Sequence, residues 1–169
     1  EQWDSLVIQM YKAKSCSAES FRRINMLIEK YEEKALKHIR INNKLRSRLK
    51  DLSRLNVKFA VISKQSNRII RETLKRLGIS DLIDIVISRD DCLLRGEQIK
   101  KALKIANISP TDTIFIGDKV EDIKGAGYAG VFPIGVTTNP YRFHQFLELS
   151  VPVFPNVEKI LDLVIALKG

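Results

Sequence analysis

Apolar residues recur three and four positions apart through the first third of the chain and then gather into short runs, which predicts helices first and alternating strands and helices afterwards. Trp3, Leu6, Val7 and Met10 fit one helical face. Phe21, Ile24, Ile28, Tyr31 and Ala35 form a second stripe, on a helix beginning near Ser17 or Ser20 as N-cap. Ile41, Leu45, Leu49 and Leu52 continue the helical period. Asn42 and Asn43 mark either a turn between two helices or a bend within one.

From Val57 the pattern changes to short apolar runs separated by helical stretches. Residues 57–63 read as a strand, 67–77 as a helix, and Gly78 suits the left-handed position that ends it. Further strands are predicted at 83–87, 113–116, 131–136 and 151–154, with helices at 97–106, 120–128, 141–149 and 157–167. Near-continuous apolar strands alternating with helices describe an α/β fold. It is expected to be a three-layer, Rossmann-like parallel sheet with helices on both faces, in which ligands gather at the carboxyl ends of strands. Residues 1–50 form a small helical unit ahead of an α/β core at 51–169.

The chain has 169 residues, 44% apolar and 29% charged, enough to bury one ordinary core. No run of eighteen apolar residues and no charged segment leading into an apolar one is present, so the plain reading is a cytoplasmic protein without a membrane span. Cys16 and Cys92 lack CxxC spacing and read as packing residues rather than zinc ligands or a disulfide. Of the net charge of +9, much lies between Lys37 and Lys58, where eight basic residues face one acid, Asp51. Such a stripe attracts polyanions, but it also describes a solvated helix face. No aromatic residue lies between Tyr31 and Phe59 to stack on bases, which weighs against nucleic acid.

The strongest chemical signal is the run from Thr113 to Asp122, where an apolar strand passes into Gly117-Asp118 and a second carboxylate follows at Asp122. Asp118 would sit at the strand's carboxyl end and Asp122 one turn into the next helix. Both could then point at one spot above the sheet, an arrangement suited to Mg²⁺, which takes oxygen ligands and keeps several waters. The alternative is a helix cap at Asp118 and an ordinary surface acid at Asp122.

In context these residues resemble the haloacid dehalogenase superfamily, phosphoglycolate phosphatase-like branch, over about residues 46 to 165. The resemblance rests on the strand ending in Ser63, the Arg95-Gly96-Glu97 segment, Gly117-Asp118-x-x-x-Asp122, and Gly125 to Val131, in that order. It implies a Mg²⁺-dependent phosphatase that hydrolyses a small phosphorylated metabolite through an aspartyl-phosphate. Ser63 would hydrogen-bond the transferring phosphoryl group, and Asp118 and Asp122 would hold the Mg²⁺. Residues 1–50 would be the cap that closes over the site and selects the substrate.

Two departures from the family pattern stand out. The family places a Lys ahead of the helix before the metal strand, where this chain has Arg95, a planar fork instead of a compact ammonium; Lys100 is a weaker candidate for the same role. The family's first motif, an apolar strand followed by DxDGT, is also not found, and Asp4-Ser5-Leu6-Val7 is only vaguely similar. The nucleophile is therefore expected ahead of Glu1 in a longer reading frame. Without its strand, the strands ending in Ser63 and Gly117 would each have an unpaired edge beside a trough. A non-catalytic relative that keeps the fold for binding, and a polyanion-binding module built on the basic helices, are the competing readings. His38 and His144 read as surface or packing residues.

Overall fold

Among the described residues five short parallel strands carry the architecture, and they fall into two sets. The computed structural model of the protein describes Met10, Lys14, Ser15 and residues 17–168, so Trp3, Asp4, Leu6, Val7 and Cys16 lie outside the described residues. β1 (Ala60–Ile62) pairs with β2 (Ile85–Ile87) in the register Ala60 to Ile85 and Ile62 to Ile87. β3 (Ile114–Gly117) pairs with β4 (Phe132–Val136), which pairs with β5 (Val153–Phe154). The order is β1-β2 in one set and β3-β4-β5 in the other, so β1 and β3 each have an edge with no partner strand among the described residues.

The helices end where local chemistry stops them. α1 (Ala18–Leu36) starts at Ser17, whose hydroxyl accepts from the Ser20 N–H at 3.0 Å. α2 (Asn43–Arg54) starts at Asn42, whose side chain accepts from the Leu45 N–H at 3.0 Å. The two are therefore separate helices, and the chain turns between them at 37–42. α3 (Asn67–Leu77) is capped by Ser66 and stopped by Gly78 at φ 71°. α4 (Arg95–Ala106), α5 (Val120–Tyr128), α6 (Pro140–Glu148) and α7 (Val157–Lys168) follow, each beside a strand.

Helices cover both faces. On one side Leu49 and Leu52 of α2, Ile70 and Leu74 of α3 and Leu161 of α7 form a buried cluster. On the other, Ile99 and Leu103 of α4 and Ala126 of α5 meet Val131, and Ile62 of β1 and Phe115 of β3 both pack against them. The two strand sets thus rest on a shared helical layer.

The division expected at residue 50 runs through α2. Leu49 and Leu52 bind this helix into the core, because they are apolar and share a cluster with Leu161 of α7. Of the apolar stripe on α1, Phe21, Ile24 and Ile28 are half-buried, while Tyr31 and Ala35 are exposed, Tyr31 at 71%. Asn25, Glu29 and Glu32, also half-buried, bond to Asp90, Ser66 and Arg89. The basic stripe is partly neutralised, since Arg46, Arg48 and Arg54 pair with Asp81, Asp162 and Asp51. Among the described residues no helix is long and apolar enough to cross a membrane.

Candidate functional site

Ser63, Arg95, Asp118 and Asp122 line one cavity of about 1010 Å³ at the carboxyl ends of β1 and β3. Ile62, Phe115 and Ile116 are only half-buried, although they occupy strands that a closed sheet would bury, because the open edges of β1 and β3 border this space. Ile28 and Glu32 of α1 contribute to its wall.

Ser63 immediately follows β1. Its N–H continues the ladder to the Ile87 carbonyl at 3.0 Å, and its Oγ accepts from the Gln65 N–H at 3.2 Å. The hydroxyl is held in a local turn with its proton still able to donate.

The two carboxylates behave differently. Asp122 is buried, and its Oδ1 accepts from Arg95 Nε at 2.8 Å. Its Oδ2 accepts from the backbone N–H groups of Asp118 and Lys119, both at 3.2 Å, so it fastens the start of α5 to the end of β3. Asp118 has its side chain 68% exposed, with Arg142 Nη1 3.7 Å from its Oδ2. The helix-capping carboxylate is thus Asp122, the second of the pair, while Asp118 projects beyond the strand.

Two glycines make this geometry possible. A Cβ at Gly117 would collide with Asp122, and one at Gly125 would lie 2.6 Å from Arg95 Cγ. Their absent side chains let the aliphatic stem of Arg95 press onto α5 and reach Asp122. Arg95 also donates through Nη1 to Gln98 Oε1 at 2.9 Å. Lys100 is elsewhere: its Nζ lies 3.7 Å above the Tyr128 ring and 3.7 Å from Glu97, on the outer side of α4. His38 and His144 are exposed and Cys92 is half-buried.

Sequence reasoning missed several residues at this site. Arg142, on α6, donates to the Asp118 carbonyl at 2.7 Å. Lys64, next to Ser63, pairs with Glu121. Arg89, just after β2, is 1% exposed; it donates to Asn25 and Glu32 of α1 and to the Lys64 carbonyl at 3.0 Å. Arg89 Nη2 and Glu32 Oε2 are buried without a hydrogen-bond partner among the described residues. No residue-type pattern marks these positions, because each acquires its neighbours only when distant elements meet.

Among the described residues no three His, Cys, Asp or Glu side chains gather as a ready-made metal cage. The donors do fit a hard cation that keeps most of its water. Asp118 offers an exposed carboxylate, and the oxygens of a phosphate would supply further ligands, which is how Mg²⁺ commonly binds.

The chain has relatives among known proteins. The sequence profile described as haloacid dehalogenase-like hydrolase matches residues 4–136. A phosphoglycolate phosphatase from Pectobacterium atrosepticum is 27% identical over 121 residues, 69% of this chain and 51% of that protein. Pyrophosphatase PpaX from Bacillus mycoides is 24% identical over 119 residues, 69% of this chain and 54% of that protein. The chain therefore spans about half the length of these relatives. Among solved structures, a β-phosphoglucomutase from Clostridium difficile superposes with a TM-score of 0.68 at 22% identity, over 90% of this chain and 68% of that one. A hydrolase of the same superfamily from Ehrlichia chaffeensis gives 0.63 at 19% identity, covering 98% and 88%. At these identities the superpositions speak for the fold.

Proposed function

The chain belongs to the haloacid dehalogenase-like hydrolases, and from that premise we propose that it forms the hydrolytic part of a Mg²⁺-dependent phosphatase acting on a small phosphorylated metabolite. The observation that carries this reading is the meeting of Ser63, Arg95, Asp118 and Asp122 around one cavity at the carboxyl ends of two parallel strands.

In this reading the Ser63 hydroxyl donates to a phosphoryl oxygen. The guanidinium of Arg95, held by Asp122, faces the same oxygens with its remaining N–H groups. Asp118 is the carboxylate that would hold Mg²⁺, with Asp122 fixing the backbone beneath it; when bound, the cation would offset the negative charge of the phosphate. Arg142 fixes the Asp118 carbonyl and so steadies the loop carrying that carboxylate. α1 stands over the cavity, where it excludes water and limits the size of the leaving group.

The nucleophile belongs in the trough between β1 and β3. A parallel strand inserted there would satisfy both open edges and bring an aspartate to the level of Ser63 and Asp118, where it could form an aspartyl-phosphate. Phosphorylated acids and pyrophosphate are the first substrates to try, given the names of the relatives.

The test is hydrolysis of an aryl phosphate and of a panel of phosphorylated metabolites by the full-length protein, with and without Mg²⁺. Turnover that requires Mg²⁺ and disappears in Asp118→Asn is expected. Turnover indifferent to both would sink the proposal.

A further inference from the structure

Gln98 is fully buried at the first turn of α4, and its amide joins groups from four parts of the chain. The two N–H groups of Nε2 are shared among the carbonyls of Ser63 at 3.1 Å, Ser88 at 3.0 Å and Cys92 at 2.7 Å, the first two lying just past β1 and β2. Oε1 accepts from Arg95 Nη1 at 2.9 Å. Three carbonyls can only accept and a guanidinium can only donate, so these partners dictate which way the amide is turned.

The consequence falls on Arg95. A guanidinium is a rigid planar fork, and two contacts fix its plane: Nε on Asp122 and Nη1 on Gln98. Nη2 has no partner among the described residues and is left for the cavity that Arg95 lines. A lysine ammonium in this place would be a rotating point charge and would need no second brace. An arginine does, because a fork held only at Nε can still swing its outer edge.

We infer that Gln98 is a positioning residue, which sets the plane of the Arg95 guanidinium so that its outer N–H edge is presented to an anionic oxygen in the cavity. Its kinetic consequences rest on the phosphatase reading above; its structural consequence does not. The same amide anchors the carbonyl of Ser63, so the distance between the two phosphate-facing groups is set within a single side chain.

Two variants of the full-length protein separate this role from plain scaffolding. Gln98→Met removes both halves of the amide. Gln98→Glu keeps an acceptor for Arg95 but loses the N–H donors to the three carbonyls. Both should melt earlier than the parent, since both abandon the carbonyls. Solvent exchange of the Arg95 Nε–H, followed by ¹⁵N NMR, should quicken by about tenfold or more in Gln98→Met and stay slow in Gln98→Glu. With an aryl phosphate and Mg²⁺, kcat should fall about 100-fold in Gln98→Met, and Gln98→Glu should recover most of that loss. Equal loss of kcat in the two variants, or unchanged Nε–H exchange in Gln98→Met, would overturn the inference. If Gln98→Met does not fold, Gln98→Asn, which keeps a neutral amide but is one methylene shorter and so draws its oxygen away from Arg95, gives the same decision from Nε–H exchange. Absence of hydrolysis by the parent would count against the phosphatase reading alone, since the exchange comparison still decides the role of Gln98.

Discussion

Arg95 Nε meets Asp122 Oδ1 at 2.8 Å, with the two side chains 10% and 7% exposed, while Asp118, four residues earlier in the chain, has its side chain 68% exposed. One carboxylate is built into the wall and the other projects from it. That contrast makes the pair separable by mutation.

Asp122→Asn strips a nearly buried guanidinium of its counter-charge and should cost about 3 kcal/mol. Asp118→Asn alters an exposed side chain and should stay within about 0.5 kcal/mol of the parent, while abolishing Mg²⁺-dependent turnover. Urea unfolding and an aryl phosphatase assay of the full-length protein check both. Equal destabilisation by the two substitutions would contradict the division of labour.

The glycines of α5 offer a second contrast. A methyl group at Gly125 would meet Arg95 Cγ at 2.6 Å and the Gly96 backbone nitrogen at 3.2 Å, so Gly125→Ala must push Arg95 or the start of α4 aside. The expected loss is about 1–3 kcal/mol. At Gly127 no described atom beyond its own helix backbone and chain neighbours lies within 4 Å of the added atom, and Ala should gain up to about 1 kcal/mol through helix propensity. Thermal melts of the two variants should move in opposite directions; a shift of both the same way would refute the crowding argument.

Arg89 and Glu32 join α1 to the core through a pair that is 2% and 15% exposed. Glu32→Gln leaves the buried guanidinium without its counterion and should cost about 3 kcal/mol. Replacing both residues, as Arg89→Met with Glu32→Leu, should recover a large part of that loss, because the surviving charge is gone. If the double variant is no more stable than Glu32→Gln alone, the penalty does not come from an orphaned charge.

Away from the cavity, Arg46 grips Asp81 with Nη1 and Nη2 at 2.6 and 2.7 Å. The side-chain hydrogen bonds from Arg46 outweigh desolvation and hold the Asp81 carboxyl down at about 2. A folded value below the unfolded one, about 3.9, means the stabilisation is fully present above that unfolded value and drains away as pH falls through about 2. A ¹³C titration of the carboxyl should find the depressed midpoint, and Arg46→Gln should return it to the ordinary carboxylate range. An unchanged midpoint in that variant would assign the shift to something else.

Much of this architecture was legible in the chain because it depends on neighbours in sequence. Periodicity and end signals located α3 at its observed bounds, with Gly78 in the left-handed region, and gave α5 likewise. Asp118 and Asp122 fall on a strand end and a helix start because an apolar strand, a glycine and a helix follow one another directly. Contacts between distant segments were not legible. Gln98 touches Ser63, Ser88 and Cys92 only after two strands and a loop converge. Nor were the polar contacts of α1 legible, because Asp90, Ser66 and Arg89 reach Asn25, Glu29 and Glu32 only from distant segments. The pairing of the basic run was not legible either, because Asp81 and Asp162 come to Arg46 and Arg48 from 35 and 114 residues away.

The split between β1 and β3 ties assembly to chemistry. A segment that zipped into this seam would knit two half-sheets into one continuous ladder and, in the same movement, deliver its own side chains to the rim where Ser63 and Asp118 wait. Pairing of the two open edges and completion of the cavity wall would then be a single event.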